Sequence, residues 1–307
     1  MAGIITTGSH PSSLWPGIHS FWGTEYDEHP VEWKALCHEI LPSDMSYEVI
    51  IGDTGFGLPV LKGQGQGVTY DTNVQSFTTK FTHATYSLGY IVTMEELQDN
   101  LYEKVSRVRA KENAFSQRQL RENAVANLLN NGFSSSYKGG DGVAFFATNH
   151  PTVTGSTYAN TPTASADLSE ASLEDALVSI AGFTNDRGLL ISVVPQMLVI
   201  ARQNMFNAAR ILKSPYQNDT ANNAINAMKS MNALPEGIMV NHYITGAQTW
   251  YVKNKIPTGS GVLFFERMPV TFDMDNDFNT KNALAASITR FSCGWADPRC
   301  YYGVNGS

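Results

Sequence analysis

Residues 93–132, TMEELQDNLYEKVSRVRAKENAFSQRQLRENAVANLLNNG, form the longest uninterrupted helical pattern in the chain, and long extended segments flank them. Thr93 and Glu96 make an S/T-x-x-E capping box, and Glu95, Glu96 and Asp99 place negative charge on the first turn, where the helix dipole favours it. Met94, Leu97, Leu101, Val105 and Val108 recur at steps of three and four. Phe115, Leu120, Val125, Leu128 and Leu129 carry an apolar face onward, with Glu112 interrupting it. Gly132 follows Asn130 and Asn131 as a left-handed C-cap would, so the pattern predicts one helix of about 38 residues, roughly 57 Å long. A coiled coil would need a seam sustained over three or four heptads, and this stripe drifts after Val108. The expectation is a spine that crosses a flat domain.

Upstream, the stretch from Tyr47 to Val92 reads as strand: Tyr47–Ile51, Phe56–Lys62, then a long return from Val68. Phe77, Thr79, Phe81 and His83 alternate onto one face, while Tyr86, Leu88, Tyr90 and Val92 alternate in the other phase, which predicts a bulge near Ala84. Gly63-Gln64-Gly65-Gln66-Gly67 lies between the arms. A phosphate loop would have a helix after it; a strand follows here, so a hairpin tip is the better reading. Residues 1–46 are rich in Pro, aromatic and turn residues, with one short helix expected over Pro30–Ile40 through Val31, Ala35, Leu36 and Ile40. Such a segment cannot bury Trp15, Trp22 and Trp33 by itself and must lie on its own body or on a neighbour; Trp15 and Trp22 point to a subunit boundary.

Downstream of the spine, Ser134–Gly142 is a polar connector and a mixed region runs to Gly261. There Ser169 caps a helix with Leu173, Ala176, Leu177 and Ile180 on one face, and Asn185-Asp186-Arg187-Gly188 is a turn. Strands are expected at Leu189–Val194, Met197–Ala201, Ile238–Ile244 and Trp250–Lys253, and helices near Asn204–Lys213 and Ala224–Met231. From Val262 the chain is strand-rich, and its last two strands, Ala285–Trp295 and Arg299–Gly303, meet at Ala296-Asp297-Pro298. Helix between strand blocks is an α+β order.

The chain of 307 residues is long enough for a large core, and its charge of -7 is spread without runs of either sign. Arg107, Arg109, Lys111, Arg118 and Arg121 do gather on the long helix, where a solvated face is the plain reading. Cys37, Cys293 and Cys300 are odd in number and lack C-x-x-C spacing, so reduced thiols are expected rather than disulfides or zinc. No apolar stretch reaches membrane-spanning length, and residues 1–10 lack the pattern of an export signal, so a soluble, cytoplasmically made protein is expected. His38-Glu39 opens an H-E-x-x-H pattern that ends in Pro42. Asp273, Asp275 and Asp277 open a calcium-loop pattern, but Phe278 replaces its Gly and Leu284 its Glu. His150 before Pro151 reads as structural. No catalytic, cofactor-binding or metal-binding residue is assigned, no cofactor is expected, and the chain reads as a non-enzyme.

An arm, a hairpin with a glycine tip, a spine, an inserted mixed region and return strands together resemble the tailed-bacteriophage major capsid protein with its Hong Kong 97-type fold, within it most of all Mu-like major head subunits. The resemblance rests on Tyr90 to Asn100, on Phe145-Phe146-Ala147-Thr148-Asn149-His150-Pro151 and on Phe291 to Arg299, and covers the chain from about Leu14 onward. It implies an α+β fold with an N-terminal arm (1–46), an extended β-hairpin loop (47–92), a peripheral domain with the spine helix (93–142 and 262–307) and an axial domain (143–261). It further implies a structural protein of the virion. Copies would assemble as hexamers and pentamers into an icosahedral shell around packaged double-stranded DNA, in the host bacterial cytoplasm. A portal protein, a separate scaffolding protein and a decoration protein are the implied partners, the separate scaffold because only a short arm precedes the hairpin. Covalent cross-linking through Lys62, the nearest match to the hairpin lysine of some relatives, is not expected. An encapsulin-like nanocompartment is the alternative, and a metal-dependent hydrolase using Asp273 to Asp277 a more distant one.

Overall fold

The computed structural model describes residues 22–27, 30–98, 102–216 and 224–306, without the side chains of 97–98 and 102–107. Its helices are α1 (22–27), α2 (Trp33–Leu36), α3 (Met94–Gln98), α4 (Tyr102–Asn130), α5 (Glu170–Ala181), α6 (Met205–Lys213) and α7 (Ala227–Ser230). The strands are β1 (Glu39–Pro42), β2 (Tyr47–Asp53), β3 (Gln75–Thr82), β4 (Ala84–Val92), β5 (His150–Pro151), β6 (Thr157–Tyr158), β7 (Val194–Ala201), β8 (Gly237–Asn241), β9 (Trp250–Lys255), β10 (Val262–Asn276), β11 (Ala283–Trp295) and β12 (Tyr301–Val304). One four-stranded sheet runs β1-β10-β11-β4 and a second β12-β9-β7-β8.

The first sheet is built on two long strands whose small residues face α4. Ala283, Ala285, Ser287, Thr289 and Phe291 alternate into the interior of β11. Opposite them lie Ala110, Ala114, Gln117, Arg121, Val125 and Leu129, spaced at three and four along α4 and all buried. Ala110 and Ala114 pack in one cluster with Ala283 and Ala285, so helix and sheet approach closely. The buried stripe is therefore written partly in Ala, Gln and Arg. The expected stripe matches it only in the second half of the helix: Val125 and Leu129 are buried and Leu120 and Leu128 pack against the core, but Val108 and Phe115 are exposed, while Leu97, Leu101 and Val105 lie outside the described side chains.

The polar members of the stripe are bonded to the sheet. Asn113 Nδ2 donates to Leu88 O at 2.9 Å, Gln117 Nε2 to Ser287 Oγ at 2.8 Å, and Arg121 Nη2 to Glu266 Oε1 at 2.5 Å. Arg118 and Arg121, expected on a solvated face, are buried; Arg109 pairs with Glu96 and Lys111 with Glu25.

The single spine expected from Thr93 to Gly132 is corrected by one ion pair. Arg109 forks onto Glu96 at 2.9 and 3.0 Å, whereas thirteen residues of straight helix would separate them by roughly 20 Å along the axis. So α3 folds back beside α4, which is itself 29 residues long. Thr93 Oγ1 accepts the Glu96 N–H at 3.4 Å, but the Glu96 carboxylate is engaged by Arg109. Gly132 does not adopt the left-handed conformation. Its lack of a side chain makes room for Phe146, whose ring would lie 2.5 Å from a Cβ there; Gly303 presses on the ring's other edge, also at 2.5 Å. Phe146 thus sits between the end of α4 and β12. One core runs through it, joining Val125 and Leu129 of α4, Phe264 and Phe291 of the first sheet, and Val199, Tyr251 and Tyr301 of the second.

Residues 30–42 are part of this core. The helix expected over Pro30–Ile40 is only α2; Glu39–Pro42 instead forms β1, parallel to β10, and Val31 and Ile40 are exposed. Trp33, 2% exposed, lies 4.4 Å from Phe264. Short as it is, α2 is held at both ends. Glu122 accepts the N–H groups of Glu32 and Trp33 at 3.0 and 2.8 Å, and Lys253 Nζ donates to Ala35 O and Cys37 O at 2.7 and 2.9 Å. Each charge complements the helix dipole. Burial pushes the Glu122 pKa up and the Lys253 pKa down. Trp22 also packs within its own subunit, stacked 5.3 Å from Phe272 with Nε1 donating to Asn113; Trp15 lies outside the described residues.

Ser169 caps α5 as expected, Leu173, Ala176 and Ile180 are buried, and the Asn185–Gly188 turn forms. Phe56–Lys62 and Leu189–Val193 are not strands: the backbone of Leu189 and Ile191 bonds to the Asn185 turn and to Phe183, and in Phe56–Lys62 the Gly57 N–H is taken by the Asp71 carboxylate instead of a ladder partner. The last two strands are joined through Ala296-Asp297-Pro298 as expected, and they lie in different sheets: β11 belongs to the first and β12 to the second, with Ala296–Cys300 crossing between them.

Two outcomes follow for stability. Gly132→Ala and Gly303→Ala should each cost about 1–3 kcal/mol in urea melts of the isolated subunit, since the Phe146 ring has nowhere to go. Gly67→Ala, which faces open space, should stay within about 0.5 kcal/mol. His38 Nδ1 accepts the Val262 N–H at 3.1 Å, so Nε2 carries the proton and donates to Asn254 O at 2.9 Å. Burial lowers its pKa from 6.5 to about 4. The unfolded chain then takes up a proton on acidification that the native chain refuses, so this contribution is complete above the unfolded pKa and is lost as pH falls toward the folded one. Between about pH 7.5 and 5 it removes about 2 kcal/mol. His38→Gln should abolish that part of the pH dependence, and an unchanged slope would show that His38 is not held neutral.

Candidate functional site

The surface that the core leaves unused is the hairpin formed by β2 and β3. These strands pair from Tyr47↔Thr82 to Asp53↔Gln75; residues 54–74 continue outward without a ladder. Side chains tie the two limbs together instead. Thr54 Oγ1 donates to Val74 O at 2.9 Å, Asn73 Nδ2 to Asp53 at 2.8 Å, and Gly57 N–H to Asp71 at 2.8 Å. The Asn73 amide holds the Asp53 carboxyl below its ordinary pKa, and the Gly57 N–H does the same for Asp71. At the tip Gln66 N–H donates to Gly63 O, and of the three glycines only Gly65 has a positive φ, +81°.

Phe77, Thr79, Phe81 and His83 turn toward the body as their alternation predicts, with Phe81 packed on Leu263 and Phe265. The expected bulge near Ala84 is a break between β3 and β4 at His83, which bonds Ser43 Oγ and Ser292 Oγ, each at 2.9 Å. Beyond the root the limbs expose Phe56, Leu58, Val60, Val68 and Tyr70 and, at 96%, Leu61. A run of apolar side chains of this extent marks a surface that binds something.

The root is clamped to the body across a long stretch of chain. Ser76 Oγ donates to Asp186 Oδ2 at 2.6 Å, and Arg187 of the same turn donates to Thr72 O. Asp186 is held in turn by Arg299 at 3.3 Å, which also pairs with Asp297. The Arg299 guanidinium lies 3.9 Å over the Tyr158 ring, and Tyr158 stacks on His150 at 5.1 Å. His150 is fully buried, with Nδ1 2.6 Å from Asp141 and Nε2 3.1 Å from Asn160. Beside the clamp is a cavity of about 610 Å³ between the hairpin root and the β7–β9 side of the second sheet.

The motifs weighed for chemistry lie apart from this surface or serve the fold. Glu39 accepts the Gly259 N–H at 2.6 Å and His38 joins β9 to the start of β10. Asp273 and Asp275 are on β10, while Asp277 accepts from Asn279 N–H and Thr280 Oγ1 in the following turn. Among the described residues no three His, Cys, Asp or Glu side chains are grouped as metal ligands, and no helix is long and apolar enough to cross a membrane. Cys37 and Cys300 are buried in the interior, Cys293 is half-buried, and Lys62 is exposed on the hairpin. Sequence reasoning missed the Asp186–Arg299 clamp, since Ser76 and Asp186 are 110 positions apart and nothing local distinguishes their turn from a solvated one.

A family model described as "Phage capsid protein" matches residues 76–304, and the curated proteins contain no match. Among solved structures the fold is similar to that of Mycobacterium phage Patience, with 10% identity, a TM-score of 0.57 and coverage of 100% of this chain and 90% of that one. The procapsid of bacteriophage JBD30 gives 13% identity, a TM-score of 0.53 and coverage of 99% and 77%. The capsid of Myoviridae phage XM1 gives 11%, 0.53 and 100% of both chains. The α+β architecture is thus the Hong Kong 97-type capsid fold, and the chain belongs to the phage capsid protein family, as a structural subunit of the head shell.

Proposed function

We propose that copies of this subunit build a closed icosahedral shell from five- and six-membered rings around the double-stranded DNA of a tailed bacteriophage. In this reading residues 93–142 and 262–307 form a peripheral domain, 143–261 an axial domain that meets its copies at ring centres, and 47–92 a loop that reaches a neighbour. Assembly takes place in the host cytoplasm with a portal protein, a separate scaffolding protein and a decoration protein. The observation that carries the proposal is the hairpin: residues 56–70 hold six large apolar side chains that the subunit leaves exposed, and a ribbon of this kind is marginal alone in water. A wall of net charge -7, whose helix cations Arg109, Lys111 and Arg121 are spent on carboxylates, encloses DNA without gripping it.

Hydrogen exchange separates this role from that of an ordinary globular protein. Residues 56–74 should exchange quickly in free subunits and become protected in particles; equal protection in both would sink the reading. Gly65→Val, which a positive φ disfavours, should melt like the parent as a free subunit but form few closed particles. Normal particle yield would show that the tip conformation is not required.

A further inference from the structure

Three segments meet at one side chain where the hairpin leaves the first sheet. His83, 6% exposed, sits in the break between β3 and β4. Its Nε2 is 2.9 Å from Ser43 Oγ, in the connector that leads from β1 into β2, and its Nδ1 is 2.9 Å from Ser292 Oγ on β11. One imidazole thus ties the bases of both hairpin limbs to a strand of the sheet. The proton positions follow from the neighbours. Ser43 Oγ–H donates to Glu48 Oε1 at 2.6 Å, so toward the imidazole this hydroxyl accepts, and Nε2 carries the proton. Nδ1 is then bare and accepts from the Ser292 hydroxyl. The network is complete for a neutral imidazole in this tautomer. A proton added at Nδ1 would face the Ser292 hydroxyl donor to donor and force that hydroxyl to turn away from its bond.

We infer that His83 is an acid-released latch on the hairpin. Neutral, it holds the bases of both limbs to β11. Protonated, it loses the Ser292 bond, and the hairpin is left to Ser76–Asp186 and Arg187–Thr72, side-chain contacts that permit a swing. Phe81, packed on Leu263 and Phe265, is the pivot. The charged groups facing the imidazole are Arg290 on β11, Glu48 on β2 and Arg267 on β10, the last paired with Asp44 at 3.2 Å. Burial, reinforced by Arg290 and Arg267 and only partly offset by Glu48, lowers the pKa of His83 below its ordinary 6.5. The latched imidazole therefore refuses a proton that the released, solvated one accepts. Latching is complete above the ordinary histidine pKa and weakens as pH falls toward the lowered one. The latch is a property of one subunit and stands independently of the shell reading; within a shell it makes the angle of the hairpin respond to pH.

Hydrogen exchange on free subunits at about pH 7.5 and about pH 5, corrected for the intrinsic pH dependence of exchange, tests the latch. Residues 43–49 and 79–84 should lose protection at the lower pH while residues 110–129 of α4 keep theirs. His83→Gln, whose amide donates and accepts without titrating, should remove this response. His38→Gln, which replaces the other buried neutral histidine, should retain it. Equal protection of 43–49 and 79–84 at both pH values in the parent overturns the inference, and so does an acid response that survives His83→Gln. Nitrogen-15 NMR of histidine-labelled parent gives a second readout that needs no substitution. His83 should carry its proton on Nε2 and titrate below 6.5; the opposite tautomer, or titration at or above that value, overturns the latch.

Discussion

Everything else in this subunit depends on how α4 lies on the first sheet, and that placement is set by directional bonds. Asn113, Gln117 and Arg121 reach Leu88 O, Ser287 and Glu266 on three different strands. A purely apolar stripe would let the helix slide or rotate by a fraction of a turn at little cost. A buried donor displaced from its acceptor costs about 1–3 kcal/mol, while the bond once made contributes about 1. The set therefore adds little stability and much specificity. Once α4 is fixed, Glu122 one residue beyond Arg121 can hold the start of α2, Asn113 can accept from Trp22, and Leu129 can meet the second sheet.

The same bonds explain what was legible in the sequence. Elements decided by local chemistry are placed as read: Ser169 caps α5, the Asn185–Gly188 turn closes, and the pattern of α6 is correct to within a residue. The phase of α4 was legible only from Leu120 onward, where Val125 and Leu129 are buried as read; before that its buried face uses Ala110, Ala114 and Gln117, with Arg121 beyond, residues that a count of large apolar side chains passes over. The fold-back of α3 was hidden for a related reason. Glu96 satisfies the local capping pattern, and only its long-range pair with Arg109 reveals that the two helices lie side by side. Nor could alternation tell that β11 and β12 belong to different sheets, since adjacent strands in sequence pair only about two-thirds of the time.

The Phe145–Phe146 pair shows how a weak motif can carry a large structural load. Phe145 stacks 4.4 Å from Trp295, while Phe146 fills the space left by Gly132 and Gly303 and lies 5.3 Å from Tyr251. Two phenylalanines thus join the end of the long helix to both sheets. Neither glycine is there for a left-handed backbone; each is a gap shaped to an aromatic ring. Of the candidate surface, the apolar limbs were legible because residues 56–70 have too few partners to bury them. The clamp was not, because its ion pairs join segments more than a hundred positions apart.

That clamp bears on how, in the shell proposed above, one sequence would serve rings of different symmetry. The hairpin continues into β4, which is fixed by nine paired positions along β11, so its base cannot shift along the sheet. Its swing is resisted instead by Ser76–Asp186 and by Arg187 at Thr72, contacts made by side chains on a turn. Partly exposed polar contacts of this kind are worth far less than the packing behind them and rearrange without disturbing it. The stiffness of the subunit is therefore graded: rigid where α4 meets the sheet, adjustable where the hairpin leaves it. A shell that repeats one chain in five- and six-membered rings needs the core to be identical and the reach to differ by small angles. Weak ties at the hairpin root allow that difference at a cost that burying the exposed limbs against a neighbour can offset.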